Sequence, residues 1–219
     1  MFNLAWGNLT IGKSKNKSDA GVLNKKEYFD RVNYVRTASG LRKALMEQKH
    51  LSSNTSAPID FKGLAFGATI RAAKQILGKP ELHANKEEEV SGHEVLFYFS
   101  SLGSARVTEC LHFLNGRFIM AQTIIKRPKP EKTKAVLASV LEQYGLLKDI
   151  TEGITPEGFF PVCDQSRNRI EVHYAFDLML TYVTGDADVF SLVEAAPAQE
   201  WYKGSFLRNA FREHLVRYV

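Results

Sequence analysis

Asn115-Gly116 sits between two stretches rich in β-forming residues, Ala105 to Phe113 and Arg117 to Ile125. A two-residue hairpin turn of type I′ needs a left-handed backbone at both central positions, and Asn followed by Gly adopts it at low cost. The dipeptide is the strongest hairpin signal in the chain and fixes an antiparallel pair at its centre. A third strand, Glu94 to Phe99, precedes the pair, so the central region reads as a small antiparallel meander.

Helical periodicity flanks this meander. In GLAFGATIRAAKQILGKP, Ile70, Ala73, Ile76 and Leu77 line one face, Thr69 can cap the start, and Gly78 with Pro80 supplies the stop. The spacing predicts a second amphipathic helix from Thr133 or Lys134 to Tyr144, with Ala135, Val136, Val140 and Leu141 inward and Gly145 as its cap. A second strand set follows at Gly158 to Cys163, Arg169 to Tyr174 and Leu178 to Val183, with Asp164 to Asn168 as a turn. Val189 to Ala196 suits a helix, and Phe206 to Tyr218 carries an apolar stripe. This order implies an α+β fold of antiparallel β-meanders covered by short helices, and two tandem helix-plus-meander units are an option within it. Strict helix–strand alternation is absent, which gives poor support to a doubly wound parallel sheet.

Residues 66–125 carry a local resemblance. The run FGATIRAAKQILGKP, with Gly67, Thr69, Ile70, Leu77, Gly78 and Pro80 followed by strands, resembles the opening of BamE/SmpA-like small α+β units. What the resemblance implies is a binding scaffold without catalytic residues. Many members of that family are exported lipoproteins, whereas neither a signal peptide nor a cysteine placed for lipidation is expected from the residues of this chain.

Charge divides the chain unevenly. Residues 1–62 hold 11 Lys/Arg against 5 Asp/Glu, while the remainder holds 18 against 19, within a whole-chain net charge of +5. Residues 1–58 therefore read as a basic, partly disordered or partner-docking extension, in which Tyr28, Val32, Val35, Leu41 and Leu45 permit an amphipathic helix broken or capped near Ser39-Gly40. The body runs from 59 to 219, with a subdivision near 145 as an option. The N-terminus lacks the basic and apolar regions of a secretory signal, and no apolar run reaches the roughly 18 residues of a membrane span. Two cysteines without CxxC spacing suit a reducing compartment, so the expected location is the cytoplasm.

Candidate chemistry is sparse. Gly7 to Ser14 matches GxxxxGK[ST], the phosphate-cradling loop, but such a loop must leave a buried strand and open a helix, and KNKSDAGVLN follows instead. Cys110 and His112 share a strand face, yet i, i+2 side chains stand about 6–7 Å apart, too far for a thiol and its base. Cys163 with His173 offers no better pair. The six histidines are scattered, HExxH is absent, and Asp177, Asp186 and Asp188 suit turns and helix caps. Catalytic, metal and cofactor residues are accordingly assigned to none, and no cofactor is expected.

Two surfaces remain as interaction candidates. The first is the basic run Lys126, Arg127, Lys129, Lys132 and Lys134, interrupted by Pro128, Pro130 and Glu131. The second is the aromatic, basic C-terminal stretch containing Trp201, Tyr202, Phe206 and Phe211. The leading expectation is a non-enzymatic protein-interaction or adaptor protein, with another protein as partner. Alternatives are a small hydrolytic enzyme with an unrecognised pocket, and a nucleic-acid-binding protein using residues 126–134 and the N-terminal arm. Membrane-surface contact ranks below all three because acidic Glu213 interrupts the C-terminal stripe.

Overall fold

The computed structural model describes residues 11–12, 38–46, 53–85, 90–145, 159–174 and 176–195. In chain order these form β1 (Ile11–Gly12), α1 (Ala38–Met46), β2 (Ser53–Asn54), α2 (Ile70–Leu77), β3 (Leu82–Asn85), β4 (His93–Leu102), β5 (Ala105–Leu114) and β6 (Arg117–Ile125). After them come α3 (Pro130–Gln143), β7 (Phe159–Cys163), β8 (Arg169–Tyr174), β9 (Leu178–Val183) and α4 (Ala187–Ala195).

The Asn-Gly turn forms as its chemistry demands. Asn115 and Gly116 take φ of 50° and 73°, and Leu114 pairs with Arg117 across them. The strands join in one sheet ordered β1-β4-β5-β6-β9-β8-β7-β2, with β3 beside β1 along the outer edge of β4. Every described pairing is antiparallel except β2 with β7. Two units of a helix followed by antiparallel strands succeed one another: α2 with β3-β4-β5-β6, and α3 with the three-stranded meander β7-β8-β9. Their last strands pair with each other, from Met120↔Val183 to Ile125↔Leu178, so the two units build a single sheet. The α+β antiparallel architecture expected from the sequence is the architecture found.

Side-chain alternation divides the sheet into two packed faces. On the first, Leu96, Leu111, Ala121, Ile170 and Tyr182 meet Ala73 of α2, Val136, Val140 and Leu141 of α3, and the turn residues Ile59, Phe61 and Leu64. On the second, Met120 and Val183 meet Leu41 and Leu45 of α1 and Val189 and Val193 of α4, while Val95, Phe97, Cys110 and Ile124 form a separate cluster. Within the stretch read as an extension, α1 thus docks on the body. Ser39 and Gly40 lie in its first turn. Tyr28, Val32 and Val35 lie outside the described residues.

Three helix details depart from expectation. In α2 the Thr69 hydroxyl accepts from Ala72 N at 3.2 Å and Gly78 closes the helix at φ 89°, as predicted, but Ile76 is 50% exposed. At 100° per residue, Ile76 falls to one side of the stripe made by Ile70, Ala73 and Leu77. Helix α3 begins at Pro130 rather than Thr133, because the proline ring presets φ and its missing N–H is unused in a first turn. Ala135, expected inward, is exposed, and Thr133 is buried in its stead, donating to the Lys129 carbonyl at 3.3 Å.

Candidate functional site

The sheet end where β6 stops is built by one carboxylate. Lys126 stays on the ladder through its N–H to the Arg106 carbonyl at 2.9 Å. Arg127 then turns away with φ 43°, Pro128 is buried, and Lys129 extends into α3. Across from it, the β8–β9 connection presents Phe176 and Asp177. The Asp177 carboxylate accepts from Lys126 Nζ at 2.6 Å with one oxygen and from the Arg127 backbone N–H at 3.1 Å with the other. This clamp ties the β6–α3 connection to the β8–β9 turn. It also neutralises Lys126.

Beside the clamp, Phe176 is 87% exposed. An apolar ring of that size standing in water is the informative kind of surface residue, because its transfer into a protein pocket releases about 2 kcal/mol. Arg106, Arg127 and Lys129 are exposed at the same sheet end. The arrangement is an exposed aromatic residue next in sequence to the clamp carboxylate, with three exposed cations at the same sheet end.

The basic run expected as one surface is therefore split. Lys126 is engaged by Asp177, Arg127 and Lys129 belong to the sheet end, and Lys132 and Lys134 are exposed along α3 near exposed Glu131. Trp201, Tyr202, Phe206 and Phe211 lie outside the described residues. Phe176 was not among the expected contacts. Its signal is available in the sequence, since strands at 169–174 and 178–183 leave a large apolar ring in the turn between them.

Two aromatics of β4, Tyr98 and Phe99, are structural. The Tyr98 hydroxyl donates to the Gly78 carbonyl at 3.1 Å on the α2 face, and burial together with the Glu81 and Glu109 carboxylates pushes its pKa up to about 12. Phe99 points the other way, packed near Phe97 with ring centroids 6.4 Å apart.

Among the described residues the titratable groups named above do not converge on a reactive set. Cys110 and His112 share the second sheet face, while Glu109 just before them faces the first, where it holds Lys62. Burial, reinforced by Glu109, pushes the Cys110 thiol well above its ordinary range, so thiolate is disfavoured. His112 instead meets His93, nitrogen to nitrogen at 3.0 Å, the rings stacked at 5.3 Å and 15°. Burial first, and His93 second, hold His112 well below the usual histidine range. His173 is exposed on β8, and Asp177 is committed to the clamp. Asp186 accepts from Asp188 N at 2.9 Å, as a cap rather than a ligand. Among the described residues no group of three or more His, Cys, Asp or Glu is placed to hold a metal ion. Ile11 and Gly12 of the phosphate-loop match pair with Leu102 and Ser101 as a strand; the rest of that match lies outside the described residues.

No helix among the described residues is long and apolar enough to cross a membrane. No family model, no curated protein and no solved structure matches this chain.

Proposed function

We propose that this chain is a non-enzymatic protein-interaction module whose contact surface is the sheet end around Phe176. The observation that carries the reading is a ring 87% exposed beside a carboxylate clamp, in the company of Arg106, Arg127 and Lys129. An aromatic ring beside arginines is the composition of an interface hot spot. The complementary partner is a protein offering an apolar pocket rimmed by Asp or Glu. Part of the same proposal is a cytoplasmic location, to which two free cysteines are suited. The resemblance of residues 66–125 to BamE/SmpA-like units also fits a binding scaffold.

A photo-crosslinking amino acid in place of Phe176 tests this in cells. The expected result is a discrete protein adduct that survives nuclease and disappears with Arg127→Glu. In a direct titration with the captured partner, Phe176→Ala should weaken binding by about thirtyfold, the loss of about 2 kcal/mol typical of an aromatic anchor. A crosslinking yield no higher than at exposed Ser191 would overturn the reading.

A second reading, nucleic-acid binding, is favoured by one observation: the same ring and cations supply a stacking platform beside phosphate partners. Asp177 weighs against it, placing a carboxylate next to the ring. Adducts that vanish on nuclease treatment would select this second reading.

A further inference from the structure

One end of the second sheet face is fully buried, yet no described helix lies on it. Val95, Phe97, Cys110 and Ile124 stand there at 0% exposure, and the apolar side chains packed against them, Leu82, Ala84, Phe99 and Met179, all belong to strands. A side chain on a sheet face has neighbours along and across the strands but stays open above, so complete burial requires a second layer. Helices α1 and α4 supply that layer at the other end, over Met120 and Val183. The uncovered end also holds polar groups: Thr108 and Gln122 are buried there, and both are partnered.

The missing layer belongs to chain outside the described residues, and the sequence past α4 fits it. Helix α4 ends at Ala195 on this same face, where Arg42 holds the Val193 and Glu194 carbonyls, and residues 196–219 follow. From Met120 to Ile124 is four residues of β6, about 13 Å, and the five residues 196–200 reach about 17 Å when extended. Beyond them, Phe206 to Tyr218 has the spacing of an amphipathic helix. At about 100° per residue Leu207, Ala210, Phe211 and Tyr218 fall within one arc of about 100°, flanked by Phe206 and Leu215, while Asn209 and Arg212 lie opposite. His214 falls inside that arc and brings a polar group to a floor containing Thr108 and Gln122. The other long stretch, residues 13–37, has helical spacing only from Tyr28 to Val35, about two turns against about three and a half. We infer that residues 206–218 dock as a helix over Val95, Phe97, Cys110 and Ile124 of their own chain. Their aromatic rings suit a floor that holds the sulfurs of Cys110 and Met179. Joined to the body through one short link, this cover can lift without breaking a strand pairing, and lifting it bares Cys110. The contact does not use Phe176 and does not depend on the function proposed above.

Disulfide trapping in the full chain tests the inference. With Cys110→Ala and Cys163→Ser removing both native thiols, Met179→Cys is combined in turn with Leu207→Cys, Ala210→Cys or Phe211→Cys, and with Asn209→Cys or Arg212→Cys for the opposite side. Mild oxidation should close an intrachain bond in the first set about tenfold faster than in the second, at a rate independent of protein concentration. A second arm keeps the floor native. In a Cys163→Ser chain, Leu207→Asp with Phe211→Asp should speed labelling of Cys110 by a maleimide about tenfold or more, while Asn209→Asp with Arg212→Asp should leave it unchanged. Amides of β5 and β6 should stay protected from hydrogen exchange in both, which separates lifting of the cover from unfolding. Equal trapping on the two sides, or none, would overturn the inference. So would trapping that rises with concentration, the mark of a second copy as occupant, or faster trapping from Tyr28→Cys or Val32→Cys, the mark of the N-terminal stretch.

Discussion

His93 and His112 form a stacked, hydrogen-bonded pair at a position where water does not reach, and that makes histidine titration a matter of stability. An unfolded histidine takes up its proton near pH 6.5, whereas burial and His93 hold His112 lower in the folded chain. Between those values the unfolded state binds more protons. Stability is therefore full above about pH 6.5 and is lost as pH falls toward the folded value, with a slope of up to about 1.4 kcal/mol per pH unit. Denaturant midpoints at about pH 7.5 and pH 5 should differ more for the native chain than for His112→Gln; equal differences would sink the assignment. Lys62 and Glu109 make the complementary case. The backbone turns back at Lys62, φ 54°, and carries its ammonium onto a carboxylate only 7% exposed. Lys62→Met should destabilise by about 3 kcal/mol, because it strands a buried charge, and adding Glu109→Gln should recover most of the loss. Chemical denaturation of the single and double variants checks both values.

Elements whose boundaries depend on local chemistry were legible in the sequence. The Thr69 cap, the Gly78 stop and the Asn115-Gly116 turn all formed where residue type required, and the meander strands match their expected spans to within a few residues. Elements defined by tertiary context were not legible. Strand β3 has four residues, and its partner is β4 rather than any feature of Leu82–Asn85 itself. Strand β2 is two residues laid on β7, and Thr55 behind it donates to the Tyr144 carbonyl at 3.0 Å. The link between β9 and α4 shows the same dependence. A Cβ on Gly185 would lie 2.3 Å from the Ser166 carbonyl oxygen and 2.5 Å from the Arg167 carbonyl carbon, and backbone cannot swing aside as a side chain can. Gly185→Ala should lower stability by about 2 kcal/mol. Gly63→Ala, facing open space, isolates the separate cost of placing alanine at φ 82°. Thermal melts should rank Gly185→Ala as the more damaging.

Across the whole molecule, two arginines bind α1 to the sheet and to α4. Arg169 of β8 caps α1 by donating to the Ala44 and Leu45 carbonyls, and Arg42 returns the contact by donating to the Val193 and Glu194 carbonyls. These cations satisfy backbone oxygens that a helix end leaves over. Arg169→Ala should release amide protection in α1 while β5 and β6 stay protected, as read by hydrogen exchange; uniform loss across the chain would contradict the role. Neither arginine stood out in the sequence, because a charged residue on a helix or a strand gives no sign of a helix end more than a hundred residues away. The candidate site was legible to a similar degree: Arg127 and Lys129 stood out as charge and Phe176 was readable as a turn residue, but Lys126 could not be recognised as engaged before the β8–β9 turn was set against β6. The β6–β9 seam has a consequence for synthesis. Strand β6, with its run Phe118–Ile125, leaves the ribosome well before β9, whose pairing residues begin at Leu178. At about 5–20 residues per second the gap lasts several seconds, during which the most apolar edge of the nascent sheet has no neighbour. A ribosome-bound holding factor meeting this chain would find its recognition site there, and release would be timed by the arrival of the second unit.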